Sequence, residues 1–555
     1  MRVPCLPIFL AFVAGAVAQA APAPISLDTL KAVTQQLASD EFEGRAPGTP
    51  GEAKTTAYLI ERMKAAGLQP GNHGQWTQPV PIVKLAFRDM TPMRISGGAA
   101  PLTLAPKDDF IIGTYRVVPR IELHESDMVF VGYGVTAPER GWDDYAGIDA
   151  RGKTVIVLIN DPDWETPTLE GPFGGRAMTY YGRWTYKFEE AARRGATAVL
   201  IVHATEPAAY GWSVVPTVIT GLGLDRGEKP AAFQSDVIGW IQKSTAGRLF
   251  AAAGKDFAAL SAAAAKPGFR AVPLGLKASV SFDNGIERTV SSNVVGILPG
   301  KGAPDEYVLY SAHWDHFGRC APVAGDDICN GALDNATGSA GLVALAEAFG
   351  KAGATRRSQV FLGFTAEEYG LLGSQYYAEN PVFPLARTVG GVNMDVLNIY
   401  GAARDFAVSG AGKSQLEDIV KPLVVAQGRT VVAEPQPEKG YYYRSDHFPL
   451  AKLGVPMLYA KSGEDLVKGG PAAGKAAADD YVANRYHKPQ DEYRTDWDWS
   501  GALQDLTIYY QLGRELANGD AWPNWYPADE FRKVRDASRA ASRGAARRAS
   551  GVRSR

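Results

Sequence analysis

A chain of 555 residues, 46% hydrophobic and 21% charged, is too long for one ordinary core and too apolar for a disordered protein, so two or more folded domains are expected. Its 58 basic and 60 acidic residues nearly cancel, which excludes a global electrostatic pull toward nucleic acid or anionic membrane. The balance hides an asymmetry, because nine Lys/Arg and a single acidic residue fall within 531–555.

The first twenty residues read as a signal peptide. Arg2 supplies the positive charge, residues 3–18 are apolar, and Ala18-Gln19-Ala20 offers small residues for cleavage. That run is shorter than the roughly 20 residues a spanning helix needs, and no later segment is long and apolar enough. The mature chain is therefore expected to be secreted or periplasmic, without a transmembrane segment. It keeps two cysteines, Cys320 and Cys329, in a Gly-rich loop. In an oxidising compartment that pair is expected to form a disulfide rather than a metal or redox site.

Residues 27–67 predict two helices around a turn rich in Gly and Pro, Gly44-Arg45-Ala46-Pro47-Gly48. Residues 27–125 form the first part of a main domain. From 126 to 272 the pattern is self-contained, with continuous apolar runs at 128–131, 154–159 and 198–202 and an amphipathic helix at 186–195. It predicts a smaller α/β domain inserted into the larger one. Over 273–525 apolar runs recur at 293–297, 307–312, 359–364, 389–394 and 455–459, with helical spacing such as Leu342, Leu345, Ala346 and Phe349 between them. That alternation predicts an α/β fold with a mixed, largely parallel sheet flanked by helices. Residues 526–555, rich in Ala, Arg and Ser, are expected to be a disordered basic tail.

Metal-binding residue types sit where these strands end. The run 307–312 leads to His313-Trp314-Asp315-His316, and Asp334-Asn335 precedes a helix. Glu367-Glu368 follows 359–364, Asp395 follows 389–394, and a later loop carries Tyr486-His487. Open parallel sheets bind ligands beyond the carboxyl ends of their strands. Each residue alone has an ordinary explanation as a turn or surface group. Five at one sheet edge point to metal. Three carboxylates and two imidazoles without a thiolate suit zinc in an open site, or less specifically cobalt or manganese. Five ligands serve two metals only if a carboxylate bridges them.

The segments Ser311-Ala312-His313-Trp314-Asp315, Gly331-Ala332-Leu333-Asp334-Asn335-Ala336-Thr337-Gly338, Thr365-Ala366-Glu367-Glu368-Tyr369-Gly370, Asn393-Met394-Asp395 and Tyr486-His487-Lys488-Pro489 resemble the M28 family of two-zinc aminopeptidases. The insertion at 126–272 resembles a protease-associated (PA) domain. The resemblance implies that Asp334 bridges two zinc ions, that His313 and Asp395 complete one position, and that Glu368 and His487 complete the other. It leaves Glu367 as the general base of a peptide hydrolase, acting on a zinc-bound hydroxide to release N-terminal residues. Asp315 would orient His313, and Tyr486 would donate to the developing oxyanion. In the stretch Tyr441-Tyr442-Tyr443-Arg444-Ser445-Asp446-His447, Tyr443 and His447 are candidate substrate contacts, and either could instead be packing. His316 is expected near the site without binding metal.

Peptides are the implied partners; nucleic acid is not, and the oligomeric state is unreadable. Two alternatives keep the scaffold: a glutaminyl-cyclase-like acyltransferase using one zinc, and a peptidase-like binding protein without catalysis.

Overall fold

The computed structural model describes residues 25–219, 221–227 and 234–552, the side chains of 217–218 and 543–552 excepted. The signal-peptide reading therefore lies outside the described residues. The strands that matter are β1 (Thr77–Arg88), β2 (Phe110–Gly113), β3 (Arg120–Phe130), β4 (Thr154–Leu158), β5 (Ala198–His203), β6 (Val237–Gln242), β7 (Val272–Leu298), β8 (Ala303–His313), β9 (Arg357–Phe364), β10 (Thr388–Asn393), β11 (Asp405–Val408) and β12 (Met457–Ser462).

The main sheet is α/β and largely parallel, as the alternating pattern predicts. Strands β9, β8, β10 and β12 lie side by side and parallel. The end of β7 adds antiparallel to β9, and β11 adds antiparallel to β12. Strands β9 and β10 are buried throughout and β8 is buried from Val308 onward, because both faces are covered. Every residue of β9 is buried. One cover is α1 (Thr337–Ala352), whose Leu342, Val343, Leu345 and Phe349 are fully buried with Tyr310, Phe361 and Val392. Phe361 stacks on Tyr310 with ring centres 4.9 Å apart.

The smaller unit is a second sheet in which β3, β4, β5 and β6 are parallel neighbours. Its boundary differs from the one expected at residue 126. β2 closes the sheet antiparallel to β6, and β3 begins at Arg120, so residues before 126 belong to this lobe. Their short, alternating runs carry no composition shift that would mark the border. The two sheets are joined through β7, which pairs with β3 near its start, with β1 along its middle and with β9 at its end.

The tail expectation also needs correction. Residues 525–535 pack onto the main domain, and Arg532–Val552 is helical. Trp525 is fully buried and its indole donates to the Gly454 carbonyl at 3.0 Å. Phe531 is buried, and Arg535 donates to the Thr388 carbonyl at 2.6 Å. Composition averaged over the tail conceals these three anchors, and Ala and Arg are both strong helix formers.

The 3-10 turn at Asp40–Arg45 lies under the loop that carries Cys320 and Cys329. These cysteines are disulfide-bonded. Gly44 has φ +65°, and a Cβ there would meet the Cys329 and Gly318 carbonyl oxygens at 2.6 Å. Only glycine fits such a contact.

Candidate metal centre

Parallel register delivers His313, Glu367-Glu368 and Asp395 to one edge. His313 ends β8 beside Phe364, the last residue of β9, and Asn393 of β10 lies opposite Ser311. Asp334 arrives from the turn before α1, and His487 from the loop after a helix spanning Gly470–Asn484.

The two carboxylate oxygens of Asp334 face different histidines. Oδ1 is 3.3 Å from Nε2 of His313, and Oδ2 is 3.4 Å from Nε2 of His487. Asp395 Oδ1 lies 3.4 Å from the same His313 nitrogen, and Glu368 Oε2 lies 3.2 Å from the His487 nitrogen. A tetrahedral ion with bonds of about 2.0–2.1 Å places its ligands roughly 3.3 Å apart. The four separations match that edge, so the residues fit two zinc ions sharing Asp334. His313, Asp334 and Asp395 offer atoms all within 4.8 Å of one another. The His487 Nε2 atom is buried with no hydrogen-bond partner.

Charge supports the fit. Burial lowers the imidazole of His487, but Glu368 and Asp334 outweigh it and push it up to about 10. A buried cluster of carboxylates that holds on to protons attracts dications equally.

His316 enters more closely than the sequence implies. Its Nδ1 is 2.5 Å from Glu368 Oε1, its Nε2 has no partner, and it groups with Asp334 and Glu368 as a possible ligand set. The second position thus has two imidazoles within reach. No periodic signal marked the residue that directly follows the His313-Trp314-Asp315 pattern as lying this close.

Asp315 meets His313 through its backbone carbonyl, 3.3 Å from Nδ1, while its carboxylate lies 3.7 Å from that nitrogen, too far for a hydrogen bond. The carboxylate accepts the backbone N–H groups of Glu367 at 3.1 Å and Glu368 at 3.4 Å. It therefore holds the turn that separates the two glutamates. Burial pushes its carboxyl up to about 7. Glu367 is itself buried, and burial, reinforced by Asp395 and Glu368 against His313, raises its carboxyl well above the usual range.

Tyr486 is 42% exposed, its ring lying against His487 with centres 3.6 Å apart. Tyr443 is a correction: it is buried, its hydroxyl donates to Glu530 at 3.4 Å, and its ring packs on Phe448. It belongs to the seam between lobe, tail and main domain rather than to a substrate subsite. The three consecutive tyrosines looked alike in sequence, and only the 3-10 turn they form decides where each points. His447 is fully buried, stacked on Tyr459 at 4.5 Å, with neither ring nitrogen hydrogen-bonded.

Two supporting residues escaped sequence reasoning. Asp491 accepts the N–H groups of Leu333 and Asp334, each at 3.0 Å, and the Tyr481 hydroxyl at 3.2 Å. Arg45, fully buried, donates to the carbonyls of Trp314, Leu37, Asn330 and Gly331. The pairings span 269 to 286 residues for three of these bonds, so no local motif announces them.

All five expected ligands fall in the part of the chain, 293–511, that matches the model of peptidase family M28. Residues 293–511 belong to peptidase family M28. The mouse protein "Aminopeptidase NAALADL1" is 36% identical over 139 residues, 23% of this chain and 17% of its own length. "Leupeptin-inactivating enzyme 1" of Streptomyces exfoliatus is 28% identical over 178 residues, 32% of this chain and 37% of its own. The chain thus spans between about a sixth and two fifths of those relatives. Among solved structures, an aminopeptidase from Aneurinibacillus sp. strain AM-1 aligns at TM-score 0.47 and 19% identity, over 90% of this chain and 96% of that one. A zinc aminopeptidase from Bacillus subtilis aligns at 0.42 and 16%, over 90% and 98%.

Proposed function

We propose that the chain is a two-zinc aminopeptidase that removes N-terminal residues from peptides outside the cytoplasm. The observation that carries the reading is Asp334, whose two oxygens address two imidazoles at tetrahedral spacing. Support for the reaction type comes from the M28 segment and from the names of its relatives. The disulfide supports an oxidising compartment. Among the described residues no helix is long and apolar enough to cross a membrane.

His313 and Asp395 would hold one ion, Glu368 and His487 the other, with Asp334 between them and His316 beside Glu368. Zinc held there supplies Lewis acidity toward the peptide carbonyl and toward a water. Glu367 takes the proton of the attacking water and passes it to the leaving amine. Its raised proton affinity suits a group that must hold a proton between the two steps. Asp315, by fixing the Glu367 and Glu368 amides, keeps one glutamate free while its neighbour is a ligand. The ring of Tyr486 lies against His487, and its hydroxyl would donate to the oxygen on which negative charge develops.

Glu367→Gln tests the assignment. It should keep two zinc ions per chain by native mass spectrometry and the melting curve of the parent, while kcat on a peptide panel falls roughly 10²–10⁴-fold. Unchanged turnover would remove Glu367 from the mechanism. One zinc per chain in the parent would favour an acyltransferase of the cyclase kind. A peptide-library digest read by mass spectrometry reports whether cleavage proceeds from the N-terminus.

A further inference from the structure

His316 stands three residues past the end of β8, and no step of the proposed chemistry uses it. Its imidazole is fully buried and is held from three sides. A Cβ on Gly331, where φ is +53°, would lie 2.5 Å from the His316 Cγ, so the ring rests directly on that backbone. The rings of Phe317 and His487 close the other sides, with centres 5.1 and 5.9 Å away. The His316 backbone N–H donates to the Arg45 carbonyl at 3.4 Å, and the Arg45 guanidinium ties down the Trp314 and Gly331 carbonyls.

A ring fixed in this way makes one polar contact. Nδ1 lies 2.5 Å from Oε1 of Glu368, and Nε2 has no partner among the described residues. The contact fixes the tautomer. An ionised carboxylate only accepts hydrogen bonds, so a proton on Nδ1 makes a short charge-assisted bond. A proton on Nε2 alone would set two lone pairs against each other and bury a donor without an acceptor. Two ligands of one zinc ion stand about 3.3 Å apart, so Nδ1 and Oε1 are too close to share an ion. Oε2, 3.2 Å from Nε2 of His487, keeps the ligand spacing. The two oxygens of Glu368 are thus divided, one bound by His316 and the other turned to the metal position. Asp395, the carboxylate ligand of the other position, lacks such support. Among the described residues only its fellow ligand His313 reaches it.

We propose that His316 is the positioning residue of Glu368, pinning Oε1 so that Oε2 alone faces the ion shared with His487 and Asp334. The inference rests on the two-zinc reading. Loss of the donor should weaken zinc at that one position by roughly 10–100-fold.

Full-length protein loaded with two equivalents of zinc is titrated with a chelator, and native mass spectrometry follows each ion. In His316→Ala one dissociation constant is expected to rise roughly 10–100-fold while the other stays. In Asp395→Ala, which disables the other position, adding His316→Ala should bring the same rise. Two amides test which ring atom acts. Asparagine places its amide nitrogen near the place of Nδ1, so His316→Asn should recover most of the affinity. Glutamine places it near Nε2, so His316→Gln should not. Unchanged constants in His316→Ala, both constants rising together, no rise in the Asp395→Ala background, or equal behaviour of the two amides would each overturn the assignment. Melting curves of the metal-free variants check that they fold, and the two amides decide the question should the alanine variant not. A parent that binds no zinc would overturn the two-zinc reading and the role of His316 together. A parent that binds zinc without cleaving peptides would remove the peptidase reading alone, because every constant here is read without turnover.

Discussion

Asp491 belongs to the loop of His487 yet holds the turn of Asp334, through two backbone N–H groups at 3.0 Å. Burial keeps its carboxyl up at about 6, so it accepts these bonds as an anion at neutral pH. Asp491→Ala would leave both amides buried and unpaired, at a cost of about 1–3 kcal/mol each. Because it orients a shared ligand, zinc retention should also weaken by roughly 10–100-fold, measured by competition with a chelator. Retention equal to that of the parent would show that Asp334 is positioned by other contacts. At this scale the sequence was legible wherever a residue ended an apolar run. His313, Glu368 and Asp395 each follow one. Asp491, Arg45 and the closeness of His316 to Glu368 depend on which loops meet in space, and nothing in their neighbours along the chain expresses that.

Among the elements, strands with both faces buried were read from their apolar runs, and β8, β9 and β10 lie where those runs are. Elements whose stability comes from a few anchors were not. The C-terminal helix has a polar, Arg-rich sequence, but its root is pinned by Phe531, Trp525 and Arg535. Lys413 adds ion pairs to Asp529 at 3.2 Å and Glu530 at 2.9 Å, with its ammonium 5.4 Å from the Phe531 ring centre. Phe531→Ala is expected to cost about 3–5 kcal/mol, in the range of buried aromatic truncations. Limited proteolysis should then cut near residue 530 well before the main domain unfolds. Resistance equal to the parent would mean that Trp525 and Arg535 suffice.

The whole molecule carries an unusual set of buried charges in its smaller lobe. Asp144 accepts the Val135 N–H and the Trp142 indole N–H, and burial pushes its carboxyl up to about 7. A folded-state value above the unfolded one means that the folded chain binds the proton more tightly. The contribution of Asp144 is therefore fully present below the unfolded value of about 4, and is lost as pH rises through about 7. The stability difference between the parent and Asp144→Asn should shrink across that window, with a slope of at most about 1.4 kcal/mol per pH unit. Melting curves collected from pH 4 to 8 measure it. A difference independent of pH would place the proton elsewhere. This lobe meets the main domain through Lys452 and Glu189 at 2.7 Å, Arg176 and Glu438 at 2.8 Å, and the Tyr180 and Phe448 rings with centres 5.3 Å apart.

The register of β1 against β7 has a consequence for how such a molecule can be cut and rejoined. Arg88 lies directly opposite Asp283, so the chain leaves the main domain and returns to it at adjacent points of one ribbon. A two-residue Asn-Gly turn spans that gap in ordinary hairpin geometry, and residues 89–282 become a module that can be excised without moving either end. The shortened protein, with Phe448 made polar to suit its new exposure, is expected to fold and to bind zinc as the full chain does. An insoluble product that cannot be refolded would mean that the lobe supports the main sheet. Joined ends of this kind let a catalytic sheet acquire, exchange or shed a whole accessory domain while its own hydrogen-bond ladder stays intact.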